Sequence, residues 1–200
     1  FDVVCLAVPM SAVEAAVDQY APLATEAIFD ISGVMANPLA AMETHAPDLE
    51  RASFHPLFAP PRVPGNVAVV TAADGPRLRS IREDMVDAGN TVFETTPEEH
   101  DSAMETVQAG AHTAVLAYAL AADSVREEFA TPVSEQLEAV ARTVTEGDPG
   151  VYAEIQSTFD GAAGVADAAR EIADADDERF ADLYEAAKKS LSVDGRERHQ

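Results

Sequence analysis

Lysine is almost missing: Lys188 and Lys189 are the only two in 200 residues, and Lys plus Arg total 13 against 36 Asp plus Glu. A formal charge of -23 leaves little to neutralise phosphates, which argues against a nucleic-acid partner. Cysteine is limited to Cys5, so no intramolecular disulfide framework exists and a reducing cytoplasm is the expected location. Cys5 lies in an apolar run, where burial and inertness are expected. Long apolar runs are missing too, and nothing approaches the roughly 20 residues of a membrane span. One cysteine and no close His pair speak against zinc, and without a Gly-x-Ser-x-Gly elbow a serine hydrolase lacks support. No Gly-x-Gly-x-x-Gly phosphate turn occurs either.

Apolar residues still make up 47% of the chain, enough for a packed core. The carboxylates are spread along the chain, with one denser run at Asp174–Glu178, unlike the blocks of an acidic tail. Diffuse acidity with hardly any lysine suits a protein folding in molar salt, where the Debye length of about 3 Å screens self-repulsion. A salt-adapted, haloarchaeal-type protein is therefore expected.

Val3 to Val8 is a near-continuous apolar run, the pattern of a strand buried on both faces of a parallel sheet. Because the sequence opens at Phe1 directly before it, the strands that should pair with it are expected upstream. The spacing predicts a helix from Ser11 to Tyr20 with a Ser11/Glu14 capping box. Strands follow at 27–31 and 51–55, separated by a helix at 38–45. Pro56, Pro60, Pro61 and Pro64 mark a stiff loop. Then come a strand at 66–71, a helix at 76–88 closed by Gly89 in a left-handed cap, and a last strand at 91–95. This alternation implies an α/β doubly wound sheet.

Beyond residue 95 only helical signals remain. Thr96-Pro97-Glu98-Glu99 combines an N-cap, a first-turn proline and an acidic third position. One long helix to about Ala122 is predicted, then helices at 132–145, 149–159 (capped by Asp148) and 176–190. The chain thus divides into 1–95, 96–192 and a frayed polar tail, 193–200.

Of the five histidines, His45 and His199 occupy an exposed helix end and the tail. His55 closes a strand, and the carboxyl ends of strands are where open α/β sheets bind ligands. Its ordinary pKa near ~6.5 suits proton exchange, although a loop hydrogen bond would explain it equally. His100 and His112 share a predicted helix, twelve residues apart and so rotated about 120° on an ideal α-helix. Gln108 shares a face with His112. For His100-Asp101, in the first turn, capping or a domain contact competes with chemistry.

The loop His55-Pro56-Leu57-Phe58-Ala59-Pro60 resembles the His-Pro-Met-Phe-Gly-Pro loop of prephenate dehydrogenases. Glu99-His100-Asp101 with Met104, Gln108 and His112 resembles the first helix of that family's dimerisation domain. Asp148-Pro149 with Tyr152-Ala153-Glu154-Ile155, and Val8-Pro9, extend the similarity from about Phe1 to Phe159. The resemblance implies an α/β Rossmann-like domain, lacking its first βαβ unit, followed by an all-α dimerisation domain. It implies NAD- or NADP-dependent oxidative decarboxylation of prephenate to 4-hydroxyphenylpyruvate by a homodimer. His55 would be catalytic, with His112, Ser32, Gln108 and Arg142 at the substrate. Val8, Pro9, Ser32 and Gly33 would meet the cofactor, and no metal is implied.

Three positions depart from the family pattern. The Asp-x-x-Ser-x-Lys segment reads Asp30-Ile31-Ser32-Gly33-Val34-Met35, so its serine is Gly33 and its lysine Met35. The arginine that grips the ring carboxylate falls at Glu135, leaving Arg142, Arg126 or Arg62 to serve. Arogenate or another acid is therefore an alternative substrate, and a non-catalytic dimerisation or regulatory module an alternative role.

Overall fold

A computed structural model of the protein describes residues 1–59 and 62–193. Pro60 and Pro61 of the stiff loop, and the expected frayed tail with His199, lie outside the described residues. Five strands form one sheet in chain order: β1 (Val3–Leu6), β2 (Ala27–Asp30), β3 (Glu50–Pro56), β4 (Asn66–Ala73) and β5 (Thr91–Glu94). β1, β2 and β3 are parallel, connected through α1 (Val13–Tyr20) and α2 (Ala36–His45). β4 and β5 are parallel across α3 (Pro76–Asp87). β3 and β4 are antiparallel, a departure from an all-parallel sheet. Proline explains it, because the loop joining them cannot form the crossover helix that a parallel return requires.

Period-two alternation sends side chains to opposite faces. Ile28, Ala68 and Val70 pack with Val17, Leu39 and Met42 of α1 and α2. Phe29, Phe54, Val67 and Val69 pack on the other face against Leu78 of α3. Phe29 and Phe54 meet edge to face at 5.4 Å. Burying each such side chain stabilises by about 1.5–3 kcal/mol. β1 forms one edge of the described sheet, with Val3 and Val4 half-buried and Leu6 buried. Cys5 is exposed, not buried, while partial enclosure and the nearby Asp30 charge raise its thiol pKa.

Among the described residues no strand follows Glu94. The helices are α4 (Pro97–Met104), α5 (Ala111–Ala121), α6 (Pro132–Thr145), α7 (Pro149–Thr158), α8 (Gly161–Asp174) and α9 (Asp177–Val193). Thr96 caps α4 by accepting from Glu99 N at 3.1 Å, and Gly89 takes φ 90° as expected. Three features differ from expectation. The long helix is broken by a π-helical turn, Glu105–Gly110, between α4 and α5. α8 adds to the expected helices, although Gly161 and Gly164 in its first turn lower helix propensity. The Ser11/Glu14 capping box does not form: Ser11 lies in a 3₁₀ turn and its hydroxyl donates to Glu154 at 2.5 Å.

Candidate active site

The carboxyl ends of β1, β2 and β3 meet the first turn of α4 and one face of α7. Met10, Val34 and Leu57 pack there against Met104, Ile155 and Phe159, forming the apolar seam between sheet and helices. His55 and His100 are buried beside it.

A chain of hydrogen bonds runs through this place. Asp101 Oδ1 and Oδ2 accept from the backbone amides of Met35 (3.1 Å) and Ala36 (3.2 Å), at the start of α2. His100 Nδ1 lies 2.8 Å from Asp101 Oδ1, and His100 Nε2 lies 2.8 Å from His55 Nδ1. Burial raises the Asp101 pKa, but hydrogen bonds from His100, Met35 and Ala36 outweigh it and hold the carboxyl below its usual range. An ionised Asp101 requires the proton of His100 on Nδ1, where it donates to the carboxylate. With His100 neutral, its Nε2 accepts from His55 Nδ1–H, which leaves a lone pair on His55 Nε2. Burial first, and then the neighbouring His100, lower the His55 pKa to about 4, so the ring is neutral at physiological pH. Chemically, such an arrangement can serve as a base whose tautomer is set by a neighbouring imidazole and carboxylate.

Nε2 of His55 points to Gly33. A Cβ at Gly33 would lie 3.7 Å from that nitrogen and 2.9 Å from Met10 Sδ, so Met10 and His55 close on the bare backbone of Gly33 and a side chain there would push Met10 aside. On the loop after β1, Val8 is half-buried and Pro9 exposed. Ser32 does not fit the part expected of it. It is buried, its amide donates to Asp30 Oδ2 at 2.9 Å and its hydroxyl to Asp30 Oδ2 and Val34 O, so both donors are committed to shaping the turn. Met35 is fully buried in the α1–α2 core, where a lysine would strand a charge.

Asp30, the first residue of the Asp-x-x-Ser-x-Lys segment, was given no role from the sequence. Its burial, opposed by the hydrogen bonds from Ser32, pushes the pKa up to about 6. Its Oδ1 has no hydrogen-bond partner, nor has Oγ of Ser53, its register partner on β3.

His112 is half-buried on α5, its ring edge-on to Tyr152 of α7 at 4.7 Å, and burial lowers its pKa. His112 Nδ1 and Gln108 Oε1 are buried without partners, a cost that a bound polar ligand would relieve. Arg142 is not drawn to this place. It pairs with Glu138 on α6 and, with Arg126 and Glu135, lines a separate cleft of about 740 Å³. Arg62 is exposed, within the proline-rich loop.

Comparison with known proteins follows this geometry. No protein-family model matches the chain. The 4-amino-4-deoxyprephenate dehydrogenase of Streptomyces pristinaespiralis is 29% identical over 226 residues, covering 98% of this chain and 72% of that protein. Prephenate dehydrogenase from Aquifex aeolicus, solved with hydroxyphenyl propionate and NAD+, superposes with a TM-score of 0.65 at 15% identity, covering 96% of this chain and 76% of that one. Synechocystis arogenate dehydrogenase superposes with a TM-score of 0.66 at 12% identity, covering 98% and 78%. The chain has the fold of the prephenate and arogenate dehydrogenases. On that fold the seam between sheet and helices carries His55, His100 and Asp101. The adjacent pair His100-Asp101 was the one sequence signal that could have revealed the orienting partners, since a histidine followed by a carboxylate can bind two neighbours at once.

Proposed function

We propose that this protein is an NAD(P)-dependent dehydrogenase that oxidises and decarboxylates a prephenate-like ring acid, with His55 as its general base. The hydrogen-bonded series Asp101, His100, His55 carries the reading, because it can end in an unprotonated Nε2 beside the backbone of Gly33. NAD or NADP, which Val8, Pro9 and Gly33 would hold, would supply the hydride acceptor for the ring carbon bearing the hydroxyl. His55 Nε2 takes the hydroxyl proton as that hydride leaves. The ring carboxylate departs as carbon dioxide and its bonding pair enters the ring, which becomes aromatic. The proton on Nε2 returns to the phenolate oxygen, so protons and electrons balance. A base in this role contributes about 10²–10⁴-fold. His112 and Gln108, with their unpartnered atoms, are the proposed contacts to the acid.

A second substrate is favoured by one observation: the relative of 29% identity acts, by its name, on 4-amino-4-deoxyprephenate. There the ring carries an amine in place of the hydroxyl, and the same nitrogen lone pair would take its proton. Arogenate, altered in the side chain and not at the reacting carbon, is the third candidate.

A homodimer through the helices belongs to the same proposal. α5 is composed almost wholly of Ala, Val, Leu and Tyr, yet none of its residues is buried, and α8 and α9 leave Ile172, Phe180 and Tyr184 exposed. A second copy is the partner that would cover these apolar surfaces.

The deciding experiment follows reduction of NAD and NADP in concentrated KCl with each of the three acids, alongside the His55→Ala variant. Turnover that falls at least about 10²-fold in the variant supports the base assignment and names cofactor and substrate. Turnover that His55→Ala leaves intact would sink it.

A further inference from the structure

Twelve residues at about 100° each would place His100 and His112 about 120° apart on one α-helix. The π-turn changes this. Ala111 N–H reaches Thr106 O, five residues back, so the turn absorbs one extra residue. Removing about 100° of rotation leaves the two histidines within about 20° of one face. The buried stripe records the same step: His100, Met104 and Ala109 are separated by four residues and then five.

A π-turn exchanges regular hydrogen bonds for poorer ones and needs support from outside. Two groups supply it. Gln156 of α7 donates from Nε2 to Ala109 O at 3.0 Å and accepts at Oε1 from Thr113 Oγ1 at 3.0 Å, so it grips the helix on both sides of His112. Gly161, the first residue of α8, lies directly on the turn. A Cβ there would fall 1.9 Å from Glu105 O and 2.7 Å from Gly110 N, contacts that backbone atoms cannot yield. Gly110 faces it in return, its own added Cβ lying 3.2 Å from Glu105 O and 3.6 Å from Gly161 O. Two glycines thus let α8 press backbone to backbone on the place where the helix is underwound.

We infer that Gln156 and Gly161 are positioning residues, holding the π-turn that brings His112 round to the His55–His100 face. Its catalytic consequence rests on the assignment of His112 to the acid substrate.

The test compares Gln156→Ala, Gly161→Ala and His112→Ala with the parent protein. Two readouts are followed: KM and kcat for the acid at saturating cofactor, and proton–proton contacts between the His112 and Tyr152 rings by NMR. Gln156→Ala and Gly161→Ala are expected to lose the ring contacts and to raise KM about tenfold, with affinity for NAD(P) unchanged. If Gly161→Ala fails to fold, Gln156→Ala decides. Should both variants keep the ring contacts and the parental KM while His112→Ala raises it, the inference is overturned. Should His112→Ala leave KM unaltered, the substrate assignment falls instead, and loss of the ring contacts in Gln156→Ala would still uphold control of the ring by the turn.

Discussion

At the scale of single residues, Asp101 performs two tasks with one carboxylate. It fixes the tautomer of His100 and caps the start of α2 through the amides of Met35 and Ala36. Asp101→Asn retains one acceptor oxygen but no longer demands a proton on His100 Nδ1. A fall in kcat of about 10²-fold is expected, approaching the loss of the base itself, with the circular dichroism spectrum unchanged. Equal loss of fold and activity would make the role merely structural. Acid sensitivity offers a second test. The His55 pKa is lowered to about 4, so its contribution to stability is complete above pH ~6.5 and lost as pH falls towards 4. The Asp30 pKa is raised to about 6, so its contribution is present at low pH and lost as pH rises through 6. Between pH 4 and 6 the two oppose each other. Asp30→Asn removes one and leaves the other, so urea unfolding should show a steeper loss of stability on acidification than in the parent. Parallel pH dependence of variant and parent would contradict the opposing-pair account.

At the scale of elements, the helix carrying His100 begins at Thr96. Its hydroxyl satisfies Glu99 N, and Pro97 occupies a position whose amide would be idle anyway. Thr96→Ala should cost about 1 kcal/mol in stability, seen as a lower denaturant midpoint at unchanged m-value. The loss should also loosen His100, three positions past the first-turn proline, and lower kcat more than KM. The proline loop acts on a larger distance: by denying a crossover helix it reverses β4, and β5 follows β4 in parallel across α3. β3 consequently lies inside the sheet, where its last residues, His55 included, are buried.

At the scale of the whole molecule, charge and uncovered apolar surface act together. With a formal charge of -23, self-repulsion opposes the compact state, and salt should relieve it. Tm is expected to rise steadily from 0.1 to 3 M KCl, read by differential scanning fluorimetry, and indifference to salt would count against a salt-adapted fold. Salt also strengthens burial of the exposed faces of α5, α8 and α9, so light scattering in high salt should give twice the monomer mass. Monomer alone at high concentration would end the dimer proposal. Among the described residues no helix is long and apolar enough to cross a membrane.

The strands, most helices, Gly89 and the Thr96 cap were legible in the sequence because period-two and 3.6-residue patterns and capping chemistry are local. His55 was legible for a related reason: a histidine between a strand and a proline loop can occupy few places. The antiparallel β4, the committed Ser32 and the separation of Arg142 from His55 required the tertiary structure. Each depends on which groups meet across the sheet or the seam, and hydrogen bonds between residues 45 or 66 positions apart leave no periodic trace. The same holds for the π-turn. Its phase is decided by Gln156 and Gly161 pressing on a helix whose own sequence favours the regular α form, and that balance exists only once α7 and α8 are packed against it.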